Sequence, residues 1–430
     1  MIQSRFNDDF DQLLKETTPK EIAIAVSGGA DSIALLYLVS NWPGSSKVNL
    51  VIFSVNHNLR PEACDEIHYV EQIAQQLGHK FFALSWNFGG TKTALQERAR
   101  QGRYNLMSAK CCELGITTLL TAHHRDDVLE TYLMRKNKKS GVFGLSYSNS
   151  FFHNNVHVLR PLLNISKSEL IKYLKNQNIK WLEDISNKSD LYERNRVRKQ
   201  IALFTHCQKM ELLNEMQAAS EHVAKLSKQL IAVMAESLQI NNYGFAKLDL
   251  KKLKNFCLDI KIQVLNYVMT IIGGKTTLPR FRSIKRLLVK FESGDNIKCS
   301  LHGCILKEIN SKLLVFREKA AISVPTQQCS SFQYWDNRFD ILSDKCPTGY
   351  CIDRLVFLDY IAIKDQLNLD NLAKISDNNH KLILFTLPVI KKLEKVIAIP
   401  HISYYDDFDH GATVNVIFRP RFISRFTHFL

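Results

Sequence analysis

Ser27-Gly-Gly-Ala-Asp-Ser32 sets two glycines, two hydroxyls and a carboxylate between the apolar run Ile22-Ala-Ile-Ala-Val26 and the apolar segment Ile33-Ala-Leu-Leu-Tyr-Leu38. Adjacent glycines permit a tight turn and leave their backbone amides open to a phosphate. A helix starting there adds free N–H groups and the positive end of its dipole. Ser27 and Ser32 can donate to the same anion, whereas Asp31 would repel it unless a cation bridges them. The pattern therefore predicts a phosphate site at Ser27, Gly28, Gly29, Ala30, Asp31 and Ser32, with Asp31 as a magnesium ligand. It is not a Walker loop, because no Gly-Lys-Ser/Thr follows. A Gly-Gly pair alone would read equally well as an ordinary bend. Strand, loop and amphipathic helix in sequence favour the phosphate.

Further chemistry-bearing residues come in blocks. In Ala122-His-His-Arg-Asp-Asp-Val-Leu-Glu-Thr131, His123 and Asp127 are four apart, as are Asp127 and Thr131. A helix beginning there would align them. Arg100 and Arg103, three apart in Glu97-Arg-Ala-Arg-Gln-Gly-Arg-Tyr104, share a helix face. Val55-Asn-His-Asn-Leu-Arg-Pro61 follows another apolar run, and Tyr192-Glu-Arg-Asn-Arg-Val-Arg198 sets Arg194, Arg196 and Arg198 around Asn195. Singly, each has a plain structural reading: a satisfied turn histidine, acidic residues complementing a helix dipole, or a solvated basic face.

The elements that carry these blocks decide between the readings. Glu21–Val26, Val48–Val55, Lys80–Leu84 and Ile116–Thr121 read as strands; Ser32–Ser40, Cys64–Leu77 and Ala94–Leu114 have helical spacing. Alternation of this kind predicts an α/β domain, a parallel sheet covered by helices on both faces. Ligands of such sheets sit at the carboxyl ends of the strands. The loops after Val26, Val55 and Thr121 all fall there, which shifts the reading toward chemistry.

After Arg198 the composition changes. Gln208 to about Leu238 reads as a helix, and residues 247–290 hold eleven basic side chains against Asp249 and Asp259. Lys298–Phe316 turns strand-like, Ala320–Ser331 reads as a linker, and the chain closes on Phe418-Arg-Pro-Arg-Phe-Ile-Ser-Arg425. We expect three domains: 1–205 nucleotide-binding, 206–318 mainly helical and basic, and 332–430 small and mixed α+β. The 57 Lys and Arg outnumber 42 Asp and Glu by 15, a balance suited to a polyanionic partner. With 45% hydrophobic and 23% charged residues, the chain is neither disordered nor membrane-embedded in composition. The acidic N-terminus has no apolar signal core, so a cytoplasmic protein is expected. Ten cysteines without a C-x-x-C pair read as reduced thiols.

The loop Ser27–Ser32 resembles that of the PP-loop ATP pyrophosphatases, which cleave ATP to AMP and pyrophosphate and activate a carbonyl oxygen as its adenylate. The order of blocks across residues 21–198, including Arg160-Pro-Leu-Leu163 and Trp181-Leu-Glu-Asp-Ile-Ser-Asn187, is similar to that of the tRNA(Ile)-lysidine synthetases. Two departures stand out: Val128 replaces a usual glutamine, and the stretch 135–145 lacks one expected glycine.

That resemblance implies ATP and Mg2+ as cofactors, free L-lysine and an isoleucine tRNA with a CAU anticodon as partners, and no membrane. Lysine would be joined to C2 of the wobble cytidine through an adenylated base. It implies catalytic roles for Asp31, Arg103, His123 and Asp127, with Asp31 holding the metal. Arg100, His124, Glu130, Arg194, Asn195, Arg196 and Arg198 would bind substrates. The basic stretch and Arg419, Arg421 and Arg425 with Phe418, Phe422 and Phe426 would meet tRNA phosphates and bases. Which of His123 and His124 acts stays open, as does the oligomeric state, a homodimer included. The alternatives are a PP-loop tRNA thiolase, which the lack of paired cysteines disfavours, and a non-catalytic RNA-binding protein, which the intact loop disfavours.

Overall fold

The computed structural model describes residues 2–15, 19–56, 63–85, 95–138, 140–154, 156–183, 193–324, 326–328, 330, 332–343, 349–406 and 414–420. Expectations on 57–61, 184–187, Tyr192, Arg421, Phe422, Arg425, Phe426 and the side chains of Glu97 and Arg98 lie outside them. The chain forms two compact units, Met1–Ala224 and Lys225–Leu430.

The first unit begins with α1 (Ile2–Leu14), β1 (Glu21–Ala25), α2 (Ala30–Ser40), β2 (Asn49–Asn56), α3 (Ala63–Gln76), β3 (Lys80–Ser85), α4 (Leu95–Leu114) and β4 (Thr118–Leu120). It continues with α5 (Arg125–Asn137), α6 (Val142–Leu145), β5 (Ser150–His153), β6 (Val156–Leu159), α7 (Lys167–Asn176), α8 (Glu193–Ala202) and the first part of α9 (His206–Ser237), whose residues from Lys225 on belong to the second unit. Six strands form one sheet in the order β3-β2-β1-β4-β6-β5, parallel except for the β5–β6 pair. Alternate residues of each strand enter opposite cores. Ile22, Ile24, Leu50 and Ile52 pack with α1, α2 and α7, whereas Ala23, Val51 and Phe53 pack with Tyr104, Met107 and Cys111 of α4. Both faces are thus covered, as the unbroken apolar runs require.

The chain leaves β1 toward β2 on one side and later returns to pair β4 on the other. This reversal is the switch point at which α/β sheets bind ligands. It lies between the loop after β1 and the segment after β4. A third apolar cluster joins Val128, Leu129, Tyr132 and Leu133 of α5 to Val197 and Ile201 of α8 and Leu212 and Met216 of α9. Val128, the unusual residue of its block, is therefore a packing residue.

The four expected strands are present within two residues of their predicted ends; α1 and the β5–β6 hairpin were not expected. In α1 the apolar stripe is narrow, Phe6, Phe10 and Leu14, amid three aspartates. The hairpin strands have four residues each, too few for a readable period.

The second unit holds β7 (Leu238–Asn241), β8 (Phe245–Asp249), α10 (Leu250–Leu253), α11 (Leu258–Ile272), α12 (Phe281–Ser293), β9 (Lys298–Leu301), β10 (Cys304–Ile309) and β11 (Lys312–Arg317). These strands make an antiparallel sheet, β7-β8-β11-β10-β9. Next come β12 (Gln327–Gln328), β13 (Phe332–Trp335), β14 (Phe339–Ser343), β15 (Tyr350–Arg354), α13 (Phe357–Ile363), α14 (Asp370–Ile375), α15 (His380–Leu384), β16 (Pro388–Lys392), β17 (Lys395–Ile399), β18 (Tyr404–Tyr405) and β19 (Val414–Phe418). They form the sheets β12-β15-β16-β17-β18 and β13-β14-β19.

The structure differs here from the expected division into 206–318 and 332–430. Phe245, Leu314 and Phe316 share one core with Trp335, Phe339, Ile352 and Val389, so the stretch around 320–331 does not separate one core from another. Linker-like composition marked a surface connection, and composition carries no information on which cores merge.

Candidate active site

The loop after β1 is shaped by glycine geometry and two serines. Gly28 has φ +80°, a left-handed value, and a Cβ there would lie 3.0 Å from Leu182 Cδ1. Leu182 is fixed across the loop by donating its N–H to Gly28 O at 2.9 Å. Ser32 Oγ accepts from Ser27 N at 3.1 Å, lies 3.3 Å from Ser27 Oγ, and donates to Gly29 O at 2.9 Å. Gly29 is the N-cap of α2 and no side chain caps it, so the first-turn amides of that helix have no side-chain acceptor.

This loop forms one wall of a cleft of about 540 Å³, within the usual range of small-molecule sites. Ser27, Gly29, Asp31 and Ser32 line it together with Arg100, Arg103, His123, Asp127 and Arg194. Nine sequence-predicted residues thus converge on one cavity. Gly28, Ala30, His124, Glu130, Asn195, Arg196 and Arg198 are not among its lining residues, and Arg196 is exposed.

The adjacent histidines at the end of β4 have opposite surroundings. His123 places Nδ1 3.2 Å from Thr121 Oγ1. Burial, with the charges of Arg160, Arg100, Arg194 and Arg103, holds its ring well below the usual histidine range. It is a neutral imidazole among cations. His124 is 2% exposed, with Nε2 3.5 Å from both Asp31 Oδ2 and Asp127 Oδ2 and Nδ1 3.6 Å from Asp126 Oδ2. Burial lowers its pKa, but the bond to Asp31 and the three carboxylates outweigh that and raise it. Its backbone N–H donates to Asp127 Oδ2 at 3.1 Å, starting α5.

Asp31 joins both sides of the loop. Its Oδ2 also receives Lys167 Nζ at 3.1 Å, while Lys167 N donates to Asp126 Oδ2 at 2.7 Å. Burial pushes the Asp31 carboxyl up, and His124 and Lys167 more than offset it, so the group stays below its ordinary value. The Asp31 Oδ1 atom is buried without a hydrogen-bond partner. Among the described residues no group of three His, Cys, Asp or Glu side chains is arranged to hold a metal. A magnesium ion, however, commonly takes only one or two carboxylates plus phosphate oxygens, and a free carboxylate oxygen beside the phosphate loop fits that demand.

Glu130 does something other than expected. Its carboxylate, 3% exposed, accepts from Arg194 Nε at 2.7 Å and from Arg198 Nε at 2.7 Å. Arg194 also reaches Asp127 Oδ1 at 2.6 Å. Glu130 therefore fastens α8 to α5 and aims Arg194 into the cleft. The i, i+3 spacing of Asp127 and Glu130 could not reveal this, because the partner arrives from another helix.

Sequence reasoning passed over Arg160 and Lys167 as site residues. Arg160 follows β6, with its guanidinium 4.8 Å from the Phe151 ring centroid and Nη1 3.3 Å from Ser148 O. The signal existed for Arg160, which directly follows a strand that was not recognised, whereas Lys167 is the first residue of α7 and reaches Asp31 only through the fold.

In the second unit, Lys247 is paired with Asp377 at 2.6 Å and Lys261 with Glu292 at 3.2 Å. Arg282, Lys285, Arg286 and Lys290 of α12 are exposed, opposite the buried Ile284, Leu287 and Leu288. Phe418 packs edge-on against Phe339 at 5.4 Å, and Arg419, 68% exposed, pairs with the buried Asp340 at 3.3 Å. The eight described cysteines are free. No helix among the described residues is long and apolar enough to cross a membrane.

Comparison with known proteins gives the family of the chain. Residues 2–203 match the family described as the PP-loop domain. Over the full length of both chains, the protein is 42% identical to the tRNA(Ile)-lysidine synthase of Rickettsia bellii (strain OSU 85-389) and 43% identical to that of Rickettsia prowazekii (strain Madrid E). The solved U34-tRNA thiolase NcsA from Methanococcus maripaludis aligns with a TM-score of 0.43 at 18% identity, covering 51% of this chain and 80% of that one.

Proposed function

The chain belongs to the tRNA(Ile)-lysidine synthase family of ATP-using enzymes, and from that premise we propose that its cleft joins free L-lysine to C2 of the wobble cytidine of a tRNA(Ile) bearing a CAU anticodon. The observation that carries the assignment of roles is the charge division of one cleft. Arg100, Arg103, Arg194 and neutral His123, whose ring also feels the charge of Arg160, line it together with Asp31 and Asp127, while His124 behind the lining bridges the carboxylates of Asp31, Asp126 and Asp127.

ATP lies with its pyrophosphate on the amides of the β1–α2 loop. The cytidine O2 attacks the α-phosphorus, and the bond to pyrophosphate breaks. Negative charge builds on the phosphoryl oxygens, where Arg103 and Arg100 supply fixed cations and His123 a hydrogen bond. Being neutral, His123 adds no charge of its own. Asp31, through its free Oδ1, would hold Mg2+, which supplies charge neutralisation to the phosphates. The ε-amine of lysine then attacks C2, and the C2–O bond to AMP breaks as the amine loses a proton. An amine with an ordinary pKa near 10.4 needs a base for this. Asp127, lining the cleft with 18% exposure, is placed for it. Glu130 does not line the cleft, so of the two carboxylates only Asp127, itself held by Arg194 and the His124 N–H, faces the amine. The exposed cations of α12 contact tRNA phosphates, and the enzyme works in the cytoplasm.

Asp31→Ala tests the assignment. It should abolish pyrophosphate release, by roughly a thousandfold for loss of a principal electrostatic group, while tRNA affinity changes less than twofold. Full turnover by the variant would remove Asp31 from the mechanism.

A further inference from the structure

The second unit contains a cleft of about 290 Å³ lined by Lys275, Thr276, Arg317, Ser323, Gln327 and Asp336, among others. Behind it lies a closed ionic group. Arg317, 2% exposed, donates from Nε and Nη2 to the two oxygens of Asp336 at 2.9 and 2.8 Å. Arg338, fully buried, donates from Nε to Asp336 Oδ2 at 2.7 Å. Two buried guanidiniums thus share one carboxylate, and their remaining partners are neutral carbonyls: Gly303, Ala321, Gly244 and Thr386. Burial and the neighbouring Arg317 charge push Arg338 down to about 10 even with Asp336 attached.

A brace that served the fold alone would gain by balancing its charge, because an uncompensated buried cation is costly. Lys275 adds a third cation on the cleft wall, and no carboxylate among the described residues pairs with it. Gly274 has φ +57°, and a Cβ there would lie 2.5 Å from Asp336 O. The turn carrying Lys275 is therefore pressed directly onto the ionic group. Of the five guanidinium N–H groups of Arg317, the bonds above account for four.

We propose that this cleft is an oxyanion subsite for one phosphodiester of the bound RNA: Lys275 and Arg317 supply the charge, and Thr276, Ser323 and Gln327 supply neutral donors. The proposal rests on tRNA being the substrate and adds a place where its backbone is held, outside the reaction cleft. Phosphate groups suit such sites because each neutralised phosphate releases counterions.

The experiment measures tRNA affinity of the full chain against salt, for wild type, Lys275→Glu, Ser323→Asp and, as a same-charge control, Asn310→Asp on the β10–β11 turn. Ser323 is exposed, so its substitution leaves the buried group in place. Both cleft variants should weaken tRNA binding by roughly fivefold or more, with the salt slope of Lys275→Glu reduced by about 0.9, while ATP affinity and the melting midpoint hold. Asn310→Asp should bind as wild type does. Unchanged affinity and slope in both cleft variants would overturn the proposal. So would inorganic phosphate binding to wild type that Lys275→Glu abolishes without any loss of tRNA affinity, since the cleft would then take a free anion. Failure of wild type itself to bind tRNA would instead sink the substrate reading, and this subsite with it.

Discussion

Replacing Glu130 with Gln removes one charge and nearly no volume from the junction of α5 and α8. The carboxylate is 3% exposed and receives three guanidinium contacts, at 2.7, 2.7 and 3.3 Å. Charge-assisted bonds contribute about 1.5–3 kcal/mol each where buried. Arg194 and Arg198, however, are 37% and 38% exposed, so solvent screens much of their side of the interaction. Glutamine keeps one acceptor and turns an NH2 toward two cations. The net effect is a loss of about 2 kcal/mol, less than the 3–5 kcal/mol of a wholly buried pair. At about 2–4 °C per kcal/mol for a unit of this size, the first unit should melt roughly 4–8 °C lower by differential scanning fluorimetry. Because Glu130 aims Arg194 into the cleft, kcat/KM for AMP formation should fall by about tenfold even well below the melting range. Glu130→Asp should give smaller changes of the same sign. A variant as stable and as active as wild type would refute the clamp. A lower midpoint with unchanged activity would refute the claim that Arg194 depends on it.

Two further perturbations probe the loop and the neutral histidine. Gly28→Ala forces a side chain into φ +80°, costing about 1–2 kcal/mol, and sets a methyl 3.0 Å from Leu182 Cδ1; KM for ATP should rise severalfold, and an unchanged KM would show that the turn tolerates a Cβ. His123 has its pKa depressed, so the unfolded chain takes up its proton first as pH falls below about 6.5. Its stability contribution is therefore present above that pH and is lost as pH falls toward the folded value. His123→Gln should flatten the acid-side fall in melting midpoint, and an identical pH profile would contradict the neutral assignment.

The phosphate loop was legible because everything it needs is local: strand, Gly-Gly turn, hydroxyls and helix start occupy eighteen consecutive residues, Glu21 to Leu38. The parallel sheet was legible for a similar reason, since strands buried on both faces leave continuous apolar runs. The roles of His123 and His124 were not. Neighbours in sequence, they point to different groups, and the deciding charges, Arg160 and Asp31, come from the end of β6 and the first turn of α2. Glu130 was misread for the same physical reason. A carboxylate one turn beyond Asp127 looks like a second ligand until α8 packs against α5 and covers it. The basic stretch was half legible: α12 does present its cations, whereas Lys247 and Lys261 face Asp377 and Glu292, acids whose nearness no count of charge could reveal.

The most direct test of the central claim is AMP formation from ATP with lysine and a CAU-anticodon tRNA(Ile), added separately and together. AMP formed with both present, in step with lysine retained on the tRNA at the wobble cytidine, is the predicted result. AMP release with no lysine incorporated would keep the adenylating cleft and contradict lysine as its nucleophile, and no AMP under any combination would contradict the account at its root.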